Sequence, residues 1–133
     1  MKIYMAARFS RRHELHEYSK ALQAAGHTIV SRWTLPGTDH VKPAGMSRQA
    51  ADAERERFAR EDIEDIRNCD WMISFTEQPR GNSRGGRHVE FGYGLSLGVQ
   101  MTVIGPRETV FHHLPCVRHF DCWADFADMM EGE

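Results

Sequence analysis

The sequence predicts a single α/β domain over residues 1–133, in which helices cover both faces of a parallel sheet of about five strands. Short apolar segments alternate along the chain with longer segments whose apolar residues recur at helical spacing. This alternation is typical of parallel strands joined by right-handed helical crossovers. A length of 133 residues also fits one domain. The predicted arrangement is therefore a doubly wound, Rossmann-like (flavodoxin-like) fold.

The first part of the chain predicts a strand, a helix and a second strand. Residues 3–7 form an apolar run that predicts the first strand. Ser10 is a candidate cap for the helix that follows, and Gly26 ends that helix. Residues 27–32 predict the second strand. The helix is indicated by apolar residues at helical spacing, namely Leu15, Tyr18, Leu22 and Ala25.

The rest of the chain repeats this alternation. Prolines and glycines mark residues 33–47 as a loop, and a long helix is predicted at residues 48–68. The remaining predicted elements are, in order, a strand at 70–75, a glycine-rich loop at 77–86, a helix at 89–97, strands at 101–104 and 117–120, and a helix at 123–130.

Composition restricts the partners and the location of the protein. With 41% hydrophobic residues, 27% charged residues and a net charge of −2, the chain does not have the surface of a protein that coats nucleic acid. Three cysteines are too few for a disulfide framework, and no apolar run approaches the ~18–20 residues that span a bilayer. We expect a cytoplasmic protein with no membrane partner and no nucleic-acid polymer as ligand.

Ligands of doubly wound sheets bind beyond the carboxyl ends of the strands. Four predicted loops lie at that edge: residues 6–11, 33–47, 76–86 and 105–115. Functional residues are therefore expected in these loops or on the helix turns beside them.

Asp62 occupies an unusual position on the long helix. A helical wheel places it inside an apolar stripe formed by Phe58, Ala59, Ile63, Ile66 and Cys69. A carboxylate in such a stripe is expected to be partly buried, which requires hydrogen-bond donors or a shifted pKa. Asp62 is either a functional acid or a structural one that caps a loop or pairs with an arginine.

Glu90 poses the same question on the next helix. It shares a helical face with Gly94 and Leu97, and it follows Gly85 and Gly86, which open the helix. Such an acid can simply be stabilised by the positive end of the helix dipole. A buried carboxylate can also act as a nucleophile in glycosyl transfer, because it traps an oxocarbenium-like sugar as an ester. A second acid such as Asp62 then assists the departing base.

Other nucleotide and metal sites are not indicated. The chain lacks both the Walker loop and the glycine fingerprint of dinucleotide-binding proteins. His112, His113, Cys116, His119 and Cys122 are close in sequence, but they contain no paired Cys-x-x-Cys unit, and we expect no metal. A non-catalytic nucleotide-binding module remains an alternative, since a pocket of this kind can bind a ligand without turning it over.

Three segments resemble the nucleoside 2-deoxyribosyltransferase superfamily, which includes the 2'-deoxynucleoside 5'-phosphate N-hydrolases and CMP N-glycosidases. The segments are residues 2–6 (Lys-Ile-Tyr-Met-Ala), residues 61–70 (Glu-Asp-Ile-Glu-Asp-Ile-Arg-Asn-Cys-Asp) and residues 89–94 (Val-Glu-Phe-Gly-Tyr-Gly). The similarity spans most of the chain and supports the predicted fold. It implies an enzyme that cleaves or transfers at the N-glycosidic bond of a nucleoside or nucleotide.

The resemblance also implies roles for individual residues. Glu90 matches the family's nucleophile, Asp62 its base-contacting aspartate, and Tyr4 the tyrosine that positions the nucleophile. No cofactor is implied. The family's enzymes are dimers or higher assemblies with shared pockets, so we expect a homodimer or higher homo-oligomer in which a residue near His113 reaches the neighbouring site.

The sequence differs from the transferases in the loop before Glu90, and this difference bears on which acceptor and which substrate the protein uses. The transferases carry an acidic residue about six positions before the nucleophile, where this chain has Ser83 and Arg84. A serine resembles the nucleotide hydrolases, and neighbouring arginines suit a phosphate, although they also suit a solvated loop face. The predicted substrate-binding residues are Ser83, Arg84, Gly85, Gly86 and Arg87 in this loop and Arg8, Ser10 and Arg11 in the first loop, which lacks the family's usual glycine. Hydrolysis is favoured, and transfer of deoxyribose between bases is the alternative.

Overall fold

Five parallel strands form the centre of the fold in this computed structural model, which describes residues 1–36, 45–77 and 85–132. In chain order the strands are β1 (Lys2–Ala6), β2 (Thr28–Ile29), β3 (Trp71–Phe75), β4 (Gln100–Ile104) and β5 (Val117–Phe120). Their order across the sheet is β2-β1-β3-β4-β5, and every neighbouring pair is parallel. The predicted α/β fold with a parallel sheet of five strands is confirmed.

Four helices connect and cover the strands. They are α1 (Arg12–Ala24), α2 (Arg48–Arg67), α3 (Gly86–Ser96) and α4 (Trp123–Glu131). Short 3-10 turns at Phe9–Arg11, Arg32–Thr34 and Val110–His113 follow the carboxyl ends of β1, β2 and β4. No helix in the described ranges has both the length and the apolar character that crossing a membrane requires.

The central strands are buried on both faces. All residues of β3 are buried, as are those of β1 after Lys2 and of β4 after Gln100. Such continuous apolar runs are typical of a sheet with helices on both sides. The register pairs Tyr4 with Met72 and Ser74 with Val103, so the strands end together at one edge of the sheet.

The second strand is shorter than predicted. Residues 27–32 were expected to be extended, but β2 ends at Ile29. Beyond it, the Ser31 hydroxyl accepts the Met5 N–H at 3.2 Å, and the Trp33 indole N–H donates to the Met5 carbonyl at 2.9 Å. Side chains therefore replace the strand partner of Met5, and the backbone is free to turn.

Two helix starts also differ from the prediction. Ser10 does not cap α1, because it lies exposed inside the 3-10 turn Phe9–Arg11, and α1 begins at Arg12 without a side-chain cap. Helix α3 begins at Gly86, three residues earlier than predicted. Gly85 precedes it with a left-handed φ of 86°, a conformation that glycine adopts without steric cost.

The predicted apolar side of α2 is only partly correct. Ile66 and Cys69 are buried, but Ala59 is exposed and Asp65, which the stripe did not include, is 4% exposed. Asp65 is buried because it pairs with Arg32 at 2.9 Å. Leu97, predicted to lie on an interior face with Glu90, is 44% exposed because α3 ends at Ser96.

Candidate active site

Three elements bring Tyr4, Asp62 and Glu90 together. Tyr4 lies on β1, Asp62 on the last turns of α2 and Glu90 on the second turn of α3. Asp62 and Glu90 line a small cavity of about 90 Å³ together with Ala7, Phe9 and Trp33. The cavity lies beyond the carboxyl end of β1, where ligands of such sheets are expected. The three predicted catalytic residues therefore share one site.

The Tyr4 side chain interacts with the Glu90 carboxyl. The Tyr4 side chain is fully buried, and its pKa is raised well above 10.0, first by burial and then by the negative charges of Glu90 and Asp62. The hydroxyl and the Glu90 Oε2 complete no regular hydrogen bond within the described ranges, yet the interaction between the two groups lowers the pKa of Glu90. A phenol that stays protonated can only donate to the carboxylate. Tyr4 thus favours the ionised form of Glu90.

Burial dominates the ionisation of Glu90. It raises the pKa of the carboxyl from 4.5 to about 8, Tyr4 opposes the rise, and the charge of Asp62 adds to it. At neutral pH this environment therefore favours a protonated Glu90. A positive charge developing in the cavity would favour the carboxylate instead.

Two aromatic side chains also line the cavity. The Trp33 and Phe9 rings lie with their centroids 6.4 Å apart, and Trp33 is only 6% exposed. The cavity has a volume of about 90 Å³. A flat apolar wall is suited to a planar heterocycle.

Asp65 is a buried acid of this region that the sequence analysis missed. It accepts the Arg32 backbone N–H and the Arg32 Nε–H, both at 2.9 Å. Burial raises the pKa of Asp65, and the bonds and positive charge of Arg32 oppose that rise. Its position three residues after Asp62 was the available signal, because residues at that spacing lie on the same side of a helix.

The glycine-rich loop lies partly outside the described residues, which include neither Ser83 nor Arg84. Gly85 and Gly86 form the start of α3. Arg87 is buried and pairs with Glu108 Oε2 at 2.5 Å, so the start of α3 is tied to the loop after β4. The role of these residues in substrate binding stays a prediction.

The first loop is tied to the loop after β3. Arg11 binds the Glu14 carboxylate at 2.7 Å, the Thr76 carbonyl at 3.2 Å and the Glu77 carboxylate at 3.3 Å. The hydrogen bonds that Arg11 donates to the Glu14 carboxylate are the main cause that raises the pKa of Arg11. Arg8 is half-buried before the 3-10 turn, and Ser10 is exposed within it. Contacts of Arg8, Ser10 and Arg11 with substrate stay predictions.

The two histidines after β4 differ in environment. His113 is exposed, whereas His112 is 1% exposed and accepts the Glu108 N–H through Nδ1 at 2.9 Å. Burial lowers the pKa of His112, which favours the neutral ring with its proton on Nε2. Within the described ranges, histidine, cysteine and acidic side chains form no group of three or more that could hold a metal ion.

Comparisons with known proteins identify the fold. No family model matches the chain, and no curated protein is similar enough in sequence to match. A CMP N-glycosidase from Clostridium botulinum is similar over 100% of both chains, with a TM-score of 0.63 and 14% identity. A 2-deoxyribosyltransferase from Bacillus psychrosaccharolyticus is similar over 96% of this chain and 91% of its own, with a TM-score of 0.69 and 20% identity. The chain has the fold of these two enzymes.

Proposed function

We propose that the chain cleaves the N-glycosidic bond of a nucleoside or nucleoside 5'-monophosphate, with water as the preferred acceptor. The observation that carries the proposal is the buried Glu90 carboxyl, which shares a cavity with Asp62 and interacts with Tyr4. The fold shared with a CMP N-glycosidase and a 2-deoxyribosyltransferase supports the same class of chemistry.

In the first step, Glu90 passes its proton to Asp62, and the Glu90 carboxylate attacks the anomeric carbon of the sugar. The bond from that carbon to the base nitrogen breaks, and its electron pair leaves with the base. Asp62, which lines the same cavity as Glu90, donates the proton that the departing base requires. The Tyr4 hydroxyl orients the Glu90 carboxylate. The product is a glycosyl ester of Glu90.

In the second step, water attacks the same anomeric carbon and releases Glu90. The Asp62 carboxylate takes the proton of the attacking water and returns it to Glu90, so both acids regain their starting states. The net reaction converts a nucleoside and water into a free sugar and a free base. No cofactor takes part in this sequence.

Hydrolysis is favoured over transfer by residues 83–87 of the sequence. Ser83 stands where the transferases have an acid, and Arg84 suits a 5'-phosphate. The second candidate is transfer of deoxyribose between bases, which the likeness to the 2-deoxyribosyltransferase favours.

The substrate is tested with a panel of ribonucleosides, deoxyribonucleosides and their monophosphates. Free base is followed by chromatography, with and without a second base as acceptor. Release of free sugar or sugar phosphate supports hydrolysis, and formation of a new nucleoside supports transfer. Unchanged substrates across the whole panel would exclude the enzymatic proposal and favour a binding module.

The nucleophile is tested with Glu90→Gln. The amide keeps the shape of the side chain but cannot form the ester, so turnover should fall by about three orders of magnitude or more. Glu56→Gln is the matched control, because Glu56 is exposed on the outer side of α2. Equal rates of base release from both variants would refute the assigned role.

We further propose that the chain acts in the cytoplasm as a homodimer. Cys69, Cys116 and Cys122 are all free, which agrees with a reducing compartment. Beside His113, Val110 and Phe111 are 77% and 58% exposed, and such apolar residues are typical of a contact surface. Light scattering tests the assembly, and a monomer at assay concentration would contradict it.

A further inference from the structure

The 3-10 turn Arg32–Thr34 is held against β1 by side chains. The Trp33 indole donates to the Met5 carbonyl at 2.9 Å, and the Ser31 hydroxyl accepts the Met5 N–H at 3.2 Å. The Thr34 and Ser31 hydroxyls lie 2.9 Å apart inside the same buried turn. Met5 follows Tyr4 in β1, so the turn is fixed next to the site.

The same turn is held against α2 by Asp65. Its two carboxylate oxygens accept the Arg32 backbone N–H and the Arg32 Nε–H, both at 2.9 Å. Arg32 also reaches the Glu61 carbonyl at 3.4 Å and the exposed Glu64 carboxylate at 3.6 Å. The Asp65 carboxylate is the buried member of this set. A buried acid that binds both backbone and side chain of one residue restricts that residue strongly.

Helix α2 therefore contributes twice to the candidate site. Asp62 lines the cavity directly, and Asp65, three residues later, fixes the residue before Trp33. We propose that Asp65 is a positioning residue that holds the Trp33 indole as the wall against which the base of the substrate packs. This inference rests on the proposed function, because only a base-containing substrate would use the wall.

The position of Trp33 is tested without any substrate. Incorporation of 5-fluorotryptophan labels the three tryptophans of the chain for ¹⁹F NMR. The signal that disappears in Trp33→Phe belongs to Trp33. Asp65→Asn keeps the size of the side chain but removes the charge and one acceptor, so the Trp33 signal should shift while the Trp71 and Trp123 signals stay. Glu64→Gln, which removes the exposed partner of Arg32, should move none of them.

The role in binding is tested by kinetics on the best substrate of the panel. Asp65→Asn should raise KM about tenfold and leave kcat within about twofold, because the acids at the reacting carbon are unchanged. Glu64→Gln should leave both constants unchanged. If Asp65→Asn does not fold, Arg32→Lys loses the same Nε–H bond while keeping the cation.

Each outcome decides one part of the inference. An unshifted Trp33 signal in Asp65→Asn would overturn the positioning role. A shifted signal with unchanged KM would show that Asp65 only stabilises the fold. An inactive wild-type protein would refute the proposed function and the use of the wall for a base, while the Trp33 signal would still decide whether Asp65 fixes the turn.

Discussion

Glu90 and Asp62 reach one cavity from two different helices, and the negative charge of Asp62 adds to burial in raising the pKa of Glu90 to about 8. Two carboxyl groups in one enclosed site do not readily ionise together. In the proposed mechanism one acid of the pair acts as the nucleophile and the other as the proton donor.

The ionisation of Glu90 can be measured directly. Carboxyl ¹³C NMR should show one glutamate that titrates with a pKa of about 8 and is absent from Glu90→Gln. Asp62→Asn should lower that pKa, because it removes the negative charge that raises it. Asp121→Asn is the control, since Asp121 is exposed and belongs to a different part of the fold. A wild-type Glu90 that titrates near 4.5 would contradict the buried environment described for it.

The same pKa predicts how stability depends on pH. The folded-state pKa of Glu90 lies above its ordinary value of 4.5, so the fold favours the protonated carboxyl. This contribution is fully present below pH 4.5 and is lost as the pH rises to about 8. Glu90→Gln remains neutral at every pH. Its melting temperature should therefore rise relative to that of the wild type across this range.

Thermal unfolding at several pH values between about 4.5 and 8.5 checks this prediction, because it covers the predicted titration. Only the difference between the two proteins is used, since other groups titrate in both. A difference that stays constant over the range would mean that Glu90 ionises alike in folded and unfolded chains.

Several features of the fold follow from local sequence patterns. Strand β5 and the last helix lie where they were predicted. Each is marked by a local pattern of apolar residues in the sequence. Asp62 and Glu90 line one cavity, although the apolar helical faces predicted around them are only partly present.

Other features depend on partners that are distant in the chain. The early end of β2 depends on bonds from Ser31 and Trp33 to Met5, 26 and 28 residues away. The burial of Asp65 depends on Arg32, 33 residues away. A charged residue in a helix is predicted to be exposed when only the residues adjacent to it in the sequence are considered. Contacts between residues distant in the chain therefore determine the end of β2 and the burial of Asp65, and the local sequence pattern does not show them.

Tyr4→Phe isolates the contribution of one hydroxyl. Without it Glu90 loses the interaction that lowers its pKa, so the pKa should rise further and turnover at neutral pH should fall by about ten- to hundredfold. The fold should persist, because the hydroxyl completes no regular hydrogen bond in the described ranges. Tyr18→Phe makes the same chemical change at a hydroxyl that binds Glu14 and should keep full activity. Equal activities of the two variants would refute the orienting role of Tyr4.

Gly105 marks the close approach of β4 to the end of β3. Its φ is 115°, and a Cβ added there would lie 2.5 Å from Thr76 Oγ1 and 3.1 Å from the Thr76 carbonyl oxygen. Gly105→Ala should therefore cost about 2 kcal/mol or more of stability, measured by denaturant unfolding. It should also displace the loop that carries Glu108, the partner of Arg87 at the start of α3.

Gly92→Ala is the matched control for this change. Gly92 lies in α3 on an exposed face, where an added Cβ would meet nothing within 4 Å. Alanine is the better helix former, so this variant should gain about 0.5–1 kcal/mol. The two substitutions add the same methyl group and should change stability in opposite directions. A Gly105→Ala protein as stable as the wild type would contradict the close approach of Gly105 to Thr76.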